Sequence, residues 1–316
     1  MSSKRSRVHP PYKTKYRVTN WPAYNQALVD RGSLDLWISP EAIANWNAKP
    51  SQPRRGGQTK YSNLAIETAL TLGLVCHLPL RQTEGFVASI FKLMGLHLDV
   101  PDHATLSRRS KTLKIKLRAQ LHLGPIDLII DSTGLSVFGE GQWAAAKHGK
   151  RGFQGWKKLH LGVDGNGVIV AEAFTGPNVD DAKTGVGMIK NARYKVKAVI
   201  GDAAYDSKEI YEAAKDHGAR VVAPPIKNAR VDRHSPQARN RSVNRIAKVG
   251  RQRWKTGVGY HRQGKVENTF FRYKTMIGDR LRSRDPDTQQ TEVILGCNIL
   301  NRMFEHGHPR SVATRD

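Results

Sequence analysis

Two short apolar runs, each ending in an aspartate, constrain this chain more than any other feature. Ile126-Asp127-Leu128-Ile129-Ile130 leads into Asp131, and Val196-Lys197-Ala198-Val199-Ile200-Gly201 leads into Asp202. Short apolar runs rich in β-branched residues read as strands buried on both faces. A polar residue just past such a strand sits at the carboxyl edge of a sheet, where α/β proteins carry their chemistry. A third acid, Glu267, falls in the segment 260–274. There Val266, Phe270, Tyr273 and Ile277 form the apolar stripe of an amphipathic helix, with Glu267, Phe271 and Lys274 on the other side. Taken singly, an Asp at a strand end or a Glu on a helix face is most often structural. Together the three supply hard oxygen donors that suit Mg2+ or Mn2+ and suit zinc poorly.

The surrounding pattern supports a mixed sheet. Strands are expected at 126–131, 157–163 and 168–174, the last two joined by the hairpin signal Asp164-Gly165-Asn166-Gly167. A helix over 181–192, the strand ending at Asp202, a helix over 207–217 and a strand over 220–223 follow, consistent with right-handed crossovers. Other acids have structural readings: Asp164 makes a turn, Asp181 and Asp206 precede helices, and Glu209 completes a capping-box pattern with Asp206. Between Pro225 and Tyr260 lie ten Lys or Arg and one acid. That stretch is expected to be a solvated arm or DNA-facing insertion, mobile alone and ordered on DNA.

Ahead of the sheet, residues 1–57 read as a basic arm and linker, broken by a short helical pattern around 41–46. Residues 60–123 turn helical, with faces at Leu64, Thr68, Leu72 and Val75, then Phe86, Ile90, Phe91 and Met94, then Leu106, Leu113 and Leu117. The third helix, over 106–118, carries Arg108, Arg109, Lys111, Lys114, Lys116 and Arg118 without an acid. A helix-turn-helix reader is one possibility there, although the connection from Gly95 to Pro101 is long for that motif. Arg108 and Arg109, near its amino end, are the candidates for base edges, and Lys111 and Lys114 for phosphates.

The 52 Lys+Arg against 27 Asp+Glu give a net charge of +25, which points to an anionic partner, nucleic acid first and an acidic membrane surface second. No apolar stretch approaches the roughly 18 residues of a membrane span. The start Met-Ser-Ser-Lys-Arg-Ser-Arg lacks the apolar core of a secretory signal. Cys76 and Cys297 read as buried thiols of a reducing cytosol, and no Cys-His zinc spacing occurs. The segment from Gly259 to Val266 approximates a phosphate-binding loop, but Val266 stands where the metal-binding hydroxyl belongs and no strand leads in. His148, His160 and His261 lack ligand spacing and read as packing or phosphate contacts.

Four blocks carry a specific resemblance. Asp131-Ser-Thr-Gly-Leu-Ser-Val-Phe-Gly-Glu-Gly-Gln-Trp143, Trp156-Lys-Lys-Leu-His-Leu-Gly-Val-Asp164, Gly201-Asp-Ala-Ala-Tyr-Asp-Ser207 and the segment 260–274 resemble DDE transposases of the insertion-sequence-5 family, over residues 60–302. The family pattern in the last block is Tyr, two residues, Arg, three residues, Glu, six residues, Lys. Tyr260, Glu267 and Lys274 match it, while the Arg position holds Gln263 with Arg262 beside it.

The resemblance implies a ribonuclease H-like catalytic domain over 124–316 with a basic insertion at 226–258, preceded by a helical DNA-binding region at 58–123. Its strands bearing Asp131 and Asp202 would be parallel neighbours about 4.8 Å apart. With Glu267, these acids would hold two Mg2+ or Mn2+ ions about 3.5–4 Å apart for cleavage and strand transfer. Tyr260, Arg262 and Lys274 would contact DNA. The partners implied are the terminal inverted repeats, target DNA and further copies of the chain in a synaptic complex, in a bacterial cytoplasm. A nuclease or junction resolvase would share the carboxylates without an end-specific binding region. A non-catalytic regulator would not need the acids.

Overall fold

The computed structural model describes residues 15–49, 58–119, 124–137 and 155–314. The basic stretch before Lys15, the glycines at 56–57, residues 138–143 of the first motif and His148 lie outside the described residues. In chain order the first half contains β1 (Lys15–Val18), α1 (Trp21–Asp30), α2 (Pro40–Ala44), α3 (Asn63–Val75), α4 (Leu80–Leu93) and α5 (His103–Thr112). The sheet region contains β2 (Ile126–Val137), β3 (Trp156–Val163), β4 (Ile169–Thr175), α6 (Asp181–Lys190), β5 (Val196–Ile200), α7 (Lys208–Asp216) and β6 (Arg220–Val222). Then come α8 (Gln237–Val249), α9 (Arg251–Val258), α10 (Gly264–Met276), β7 (Arg280–Leu281), α11 (Pro286–His306) and β8 (Ser311–Thr314).

The expected strands all form, but β2 runs on to Val137 where a strand ending at Asp131 was expected, so Asp131 lies mid-strand opposite Leu161 of β3, just past the stretch that pairs with β5. Five stand in the order β4-β3-β2-β5-β6, and β7 pairs with the far end of β2. The β2–β3 and β3–β4 pairs are antiparallel, and β2–β5 and β5–β6 are parallel. This is a mixed α/β architecture consistent with a ribonuclease H-like fold. The hairpin between β3 and β4 closes because Asp164 Oδ1 accepts the N–H groups of Asn166, Gly167 and Val168 at 2.8–2.9 Å. Leu128, Ile129, Ile130, Leu159 and Leu161 are fully buried, each contributing about 1.5–3 kcal/mol of transfer free energy.

The first half differs from its sequence reading. Residues 15–49 are not an arm: Trp37, Ile38, Ala42 and Trp46 are buried, and β1 pairs with β8. Pro40 starts α2 instead of breaking the chain, since a first-turn N–H has no helical partner to lose, and Ser39 caps the helix. The third helix stops at Thr112, so Lys114, Lys116 and Arg118 lie on an extended strap. Asn298 Nδ2 donates to Lys116 O, Asn298 Oδ1 accepts from Arg118 N, and Asn301 Nδ2 donates to both Arg118 O and Ile169 O. These amides of α11 give the strap's backbone the partners a helix would have supplied.

Helices α3 and α4 cross at 108° across a four-residue connection, a helix-turn-helix-like corner placed one helix earlier than expected. Gly73 makes the corner possible, because a Cβ there would lie 2.5 Å from Thr83 Oγ1. Ile66, Leu72, Phe91 and Leu106 share one cluster with Ile129, Leu159, Val293 and Leu300, so the helices and the sheet have a common core.

The basic stretch after Pro225 is helical where a solvated arm was expected. Three contacts hold α8 and α9 in place: Arg239 Nε to Asp206 Oδ2 at 2.9 Å, Arg251 Nη1 to Pro225 O at 2.6 Å, and the buried Trp254. Cys297 is buried, but Cys76, at the C-cap of α3, is exposed. No helix among the described residues is long and apolar enough to cross a membrane.

Candidate active site

Strand register brings the two aspartates abreast. Ile129 pairs with Ile200 in the parallel β2–β5 ladder, and Asp131 and Asp202 each lie two residues further on. Ile129 and Ile200 share a core cluster with Val266 and Phe270 of α10, so strand alternation directs the side chains two residues on toward that helix. As the amphipathic pattern predicts, Val266, Phe270, Tyr273 and Ile277 are buried and Glu267 is exposed in the first turn of α10.

Burial raises the pKa of the half-buried Asp131 to about 6, with further upward pushes from the charges of Asp202, Glu267 and Asp181 and an opposing hydrogen bond from Ser132 N–H. The three predicted acids therefore share one electrostatic neighbourhood. Among the described residues no group of three His, Cys, Asp or Glu side chains has closed to metal-ligating geometry.

Asp202 also caps a single 3-10 turn, Ala203–Tyr205, accepting from Ala204 N at 2.8 Å, although the sequence shows no evident helix there. Tyr205 is buried beneath it, and a Cβ on Gly201 would come within 2.8 Å of its ring. The glycine before the aspartate is thus a packing requirement. Burial raises the Tyr205 phenol's pKa, and the charges of Asp131, Asp181 and Asp202 add to it.

Segment 260–274 meets the acids from the other side. Burial raises the Tyr260 pKa to about 12, helped by the charges of Asp202, Glu267 and Asp131, and Lys255 Nζ lies 4.7 Å from its ring centroid. Gln263, in the pattern's Arg position, is buried and donates to Ile130 O at 3.3 Å, one residue before Asp131. The neighbouring guanidinium of Arg262 is bound to Asp127 and to Gly259 O. Arg262, expected as a DNA contact, is thus already held by a largely buried carboxylate on β2. Lys274 is half-buried on the Glu267 side of α10, next to the exposed Phe271.

The sequence reading missed one acid of this neighbourhood. Asp181 is not the cap of α6, since Asp180 accepts from Lys183 N at 2.8 Å. Asp181 faces Ser132 and Lys158 instead. The only sequence signal was the doubled acid Asp180-Asp181, where a single cap suffices. Asp206 is likewise no cap, because Ser207 caps α7 while Asp206 binds Arg239 and the Tyr211 hydroxyl. His160 is fully buried, with Nε2 2.8 Å from Thr175 Oγ1.

The basic candidates of the first half divide. Arg109 donates to Tyr61 O at 3.0 Å and to Asn63 Oδ1 at 2.7 Å, which ties α5 to the start of α3 and makes it a poor base reader. Lys111 pairs with Asp285, the cap of α11, at 2.8 Å. Arg108 is exposed beside Thr105, and Lys114 is exposed on the strap.

Two family models, each describing a transposase DDE domain, match the chain over residues 29–140 and 122–302. The second spans more than half of the 316 residues and includes Asp131, Asp202 and Glu267. The chain belongs to the DDE-domain transposases. For a transposase the substrate is DNA, which accounts for the +25 charge. The first match runs from the last residues of α1 through the end of β2, so residues 29–49 are also family sequence.

Proposed function

We propose that this transposase is of the insertion-sequence-5 type, binding the terminal inverted repeats of its element and catalysing strand cleavage and strand transfer. The observation that carries the reading is the register of β2 and β5, which sets Asp131 beside Asp202 on the side of the sheet where α10 carries Glu267. The donor set fits Mg2+ or Mn2+: three carboxylates, one of them with a pKa raised by burial and by the negative charges around it. Held by Asp131, Asp202 and Glu267, one or two such ions would lower the pKa of the nucleophile and stabilise the leaving oxygen of an in-line displacement.

The rest of the chemistry belongs to the chain. The N–H of Ser132 orients one oxygen of Asp131. Tyr260, whose pKa of about 12 keeps its hydroxyl protonated at neutral pH, offers a phosphate a donor beside the acids. Lys274 extends positive charge along the Glu267 side of α10. The nucleophile is water when an element end is nicked and the freed 3′-hydroxyl when that end attacks target DNA. Residues 124–316 form the catalytic domain with its insertion at 226–258, and residues 58–123 contribute end binding, with copies of the chain joined in a synaptic complex. Arg108 and Lys114 are the DNA contacts favoured by exposure.

The test is cleavage and joining by the full chain on a duplex carrying the terminal repeat that flanks its gene. Nicking at the repeat boundary in Mg2+ or Mn2+, lost in excess chelator and in Asp202→Ala, is expected. Full activity in chelator would overturn the reading.

A further inference from the structure

Beyond the Ser132 N–H, the hydrogen bonds that run on behind Asp131 have no part in the proposed chemistry. Ser132 N–H donates to Asp131 Oδ1 at 2.8 Å, Ser132 Oγ donates to Asp181 Oδ2 at 3.2 Å, and Lys158 Nζ donates to Asp181 Oδ1 at 2.9 Å. Lys158 is held from a second direction by Val179 O at 2.9 Å. An ionised carboxylate only accepts, so Asp181 sets the direction of the Ser132 hydroxyl. His160 Nδ1 stands 3.8 Å from Asp181, outside hydrogen-bond reach, and burial favours its neutral form. Lys158 is thus the charge partner of Asp181. Helix α6 does not need Asp181 for its start, because Asp180 supplies the cap.

We propose that Asp181 is a positioning residue for Asp131, acting through Ser132, with Lys158 holding Asp181 in place. The proposal rests on the reading of Asp131 as a metal-holding carboxylate. Asp131 ends a buried run, but its own side chain has rotational freedom that a metal site must remove. Among the described residues, Ser132 is the one bonded both to Asp131 and to a fixed group on another element. Loss of such supporting contacts costs a metal site about 10–100-fold in affinity.

The experiment measures Mn2+ affinity of the full chain without DNA, by titration calorimetry, alongside kcat and KM for cleavage of a terminal-repeat duplex. Ser132→Ala and Asp181→Ala are each expected to weaken Mn2+ binding by about tenfold or more and to lower kcat with KM for DNA unchanged. Ser132→Thr, which keeps the hydroxyl, should restore both, and the Ser132→Ala, Asp181→Ala double variant should be no worse than either single change. Unchanged Mn2+ affinity and kcat in Ser132→Ala would overturn the proposal. So would a loss in Asp181→Ala alone, which would make Asp181 a ligand in its own right. If Asp181→Ala fails to fold, the Ser132→Ala and Ser132→Thr pair still decides. Asp131→Ala separates the two claims. If it binds Mn2+ and cleaves like the unaltered protein, the active-site reading fails; if it is inactive while Ser132→Ala is intact, only the positioning role fails.

Discussion

The acidic site on the sheet and the basic segments on either side of it use their charges in opposite ways. Asp131 and Asp202 each accept one nearby backbone N–H, and Glu267 accepts no hydrogen bond among the described residues. Burial first, and these like charges after it, raise the Asp131 pKa, an arrangement that costs the fold stability. Many of the cations, by contrast, are architectural. Arg109 ties α5 to α3, Lys111 and Arg118 pair with Asp285 and Glu67, and Arg239 and Arg251 fasten α8 and α9. In a chain of net charge +25, the number of cations points to the class of partner, whereas the few unpaired acids point to the chemistry.

The sharpest break of this contrast is at the acids. Asp131→Ala, Asp202→Ala and Glu267→Ala should each lower cleavage by at least about a hundredfold, roughly 2.7 kcal/mol or more of barrier, while gel-shift binding of the terminal repeat survives. A Glu267→Ala protein that nicks at near the normal rate would remove the third acid from the site. Glu292 could not then replace it, because its carboxylate already accepts the N–H groups of Arg282 and Ser283.

Next in size is the fastening of the basic helices. Asp206→Ala leaves Arg239 without its buried partner, so chemical denaturation should show a loss of about 3 kcal/mol. Trypsin should also cut within 226–258 sooner. Unchanged stability and unchanged cutting would mean that Trp254 and Arg251 suffice to hold the insertion.

A smaller effect follows from the raised pKa of Asp131. Between the ordinary carboxylate value of 3.8 and about 6, the folded protein keeps a proton that the unfolded chain has released, so metal-free stability falls as pH rises through that window. Asp131→Asn should therefore stabilise the metal-free protein by about 1 kcal/mol at pH 7.5, the shift being reduced by solvent screening of the partly exposed carboxyl, and by close to nothing at pH 3. Equal effects at both pH values, in paired melting curves, would show that the charge is not what costs stability.

The mildest test compares two lysines. Lys114→Ala should make log affinity for any DNA less steep against log salt by about one unit, whereas Lys111→Ala, already paired with Asp285, should leave the slope unchanged. Equal slopes for the two variants would erase the distinction between exposed and internally paired cations.

The strands, the hairpin and the amphipathic helix that carries Glu267 were legible because they depend on local pattern. A strand buried on both faces needs an unbroken apolar run, and an amphipathic helix shows its stripe at fixed spacing. Asp181 was not legible, because a helix-start position explains an acid equally well until Ser132 and Lys158 are seen beside it. Nor was the strap at 113–119, whose basic residues have helical spacing but whose backbone is taken by Asn298 and Asn301, some 180 residues away in sequence.

By itself, then, the sequence determined the mixed sheet, the buried face of α10 and the apolar runs that lead into Asp131 and Asp202, since short-range periodicity and burial decide these. Only the tertiary structure decided that residues 15–49 are folded, that α8 and α9 are fastened through Asp206, and that Arg109, Lys111 and Arg262 serve the fold. A cation's role depends on whether a carbonyl or carboxylate distant in the chain comes within about 3 Å of it, and no local pattern encodes that distance.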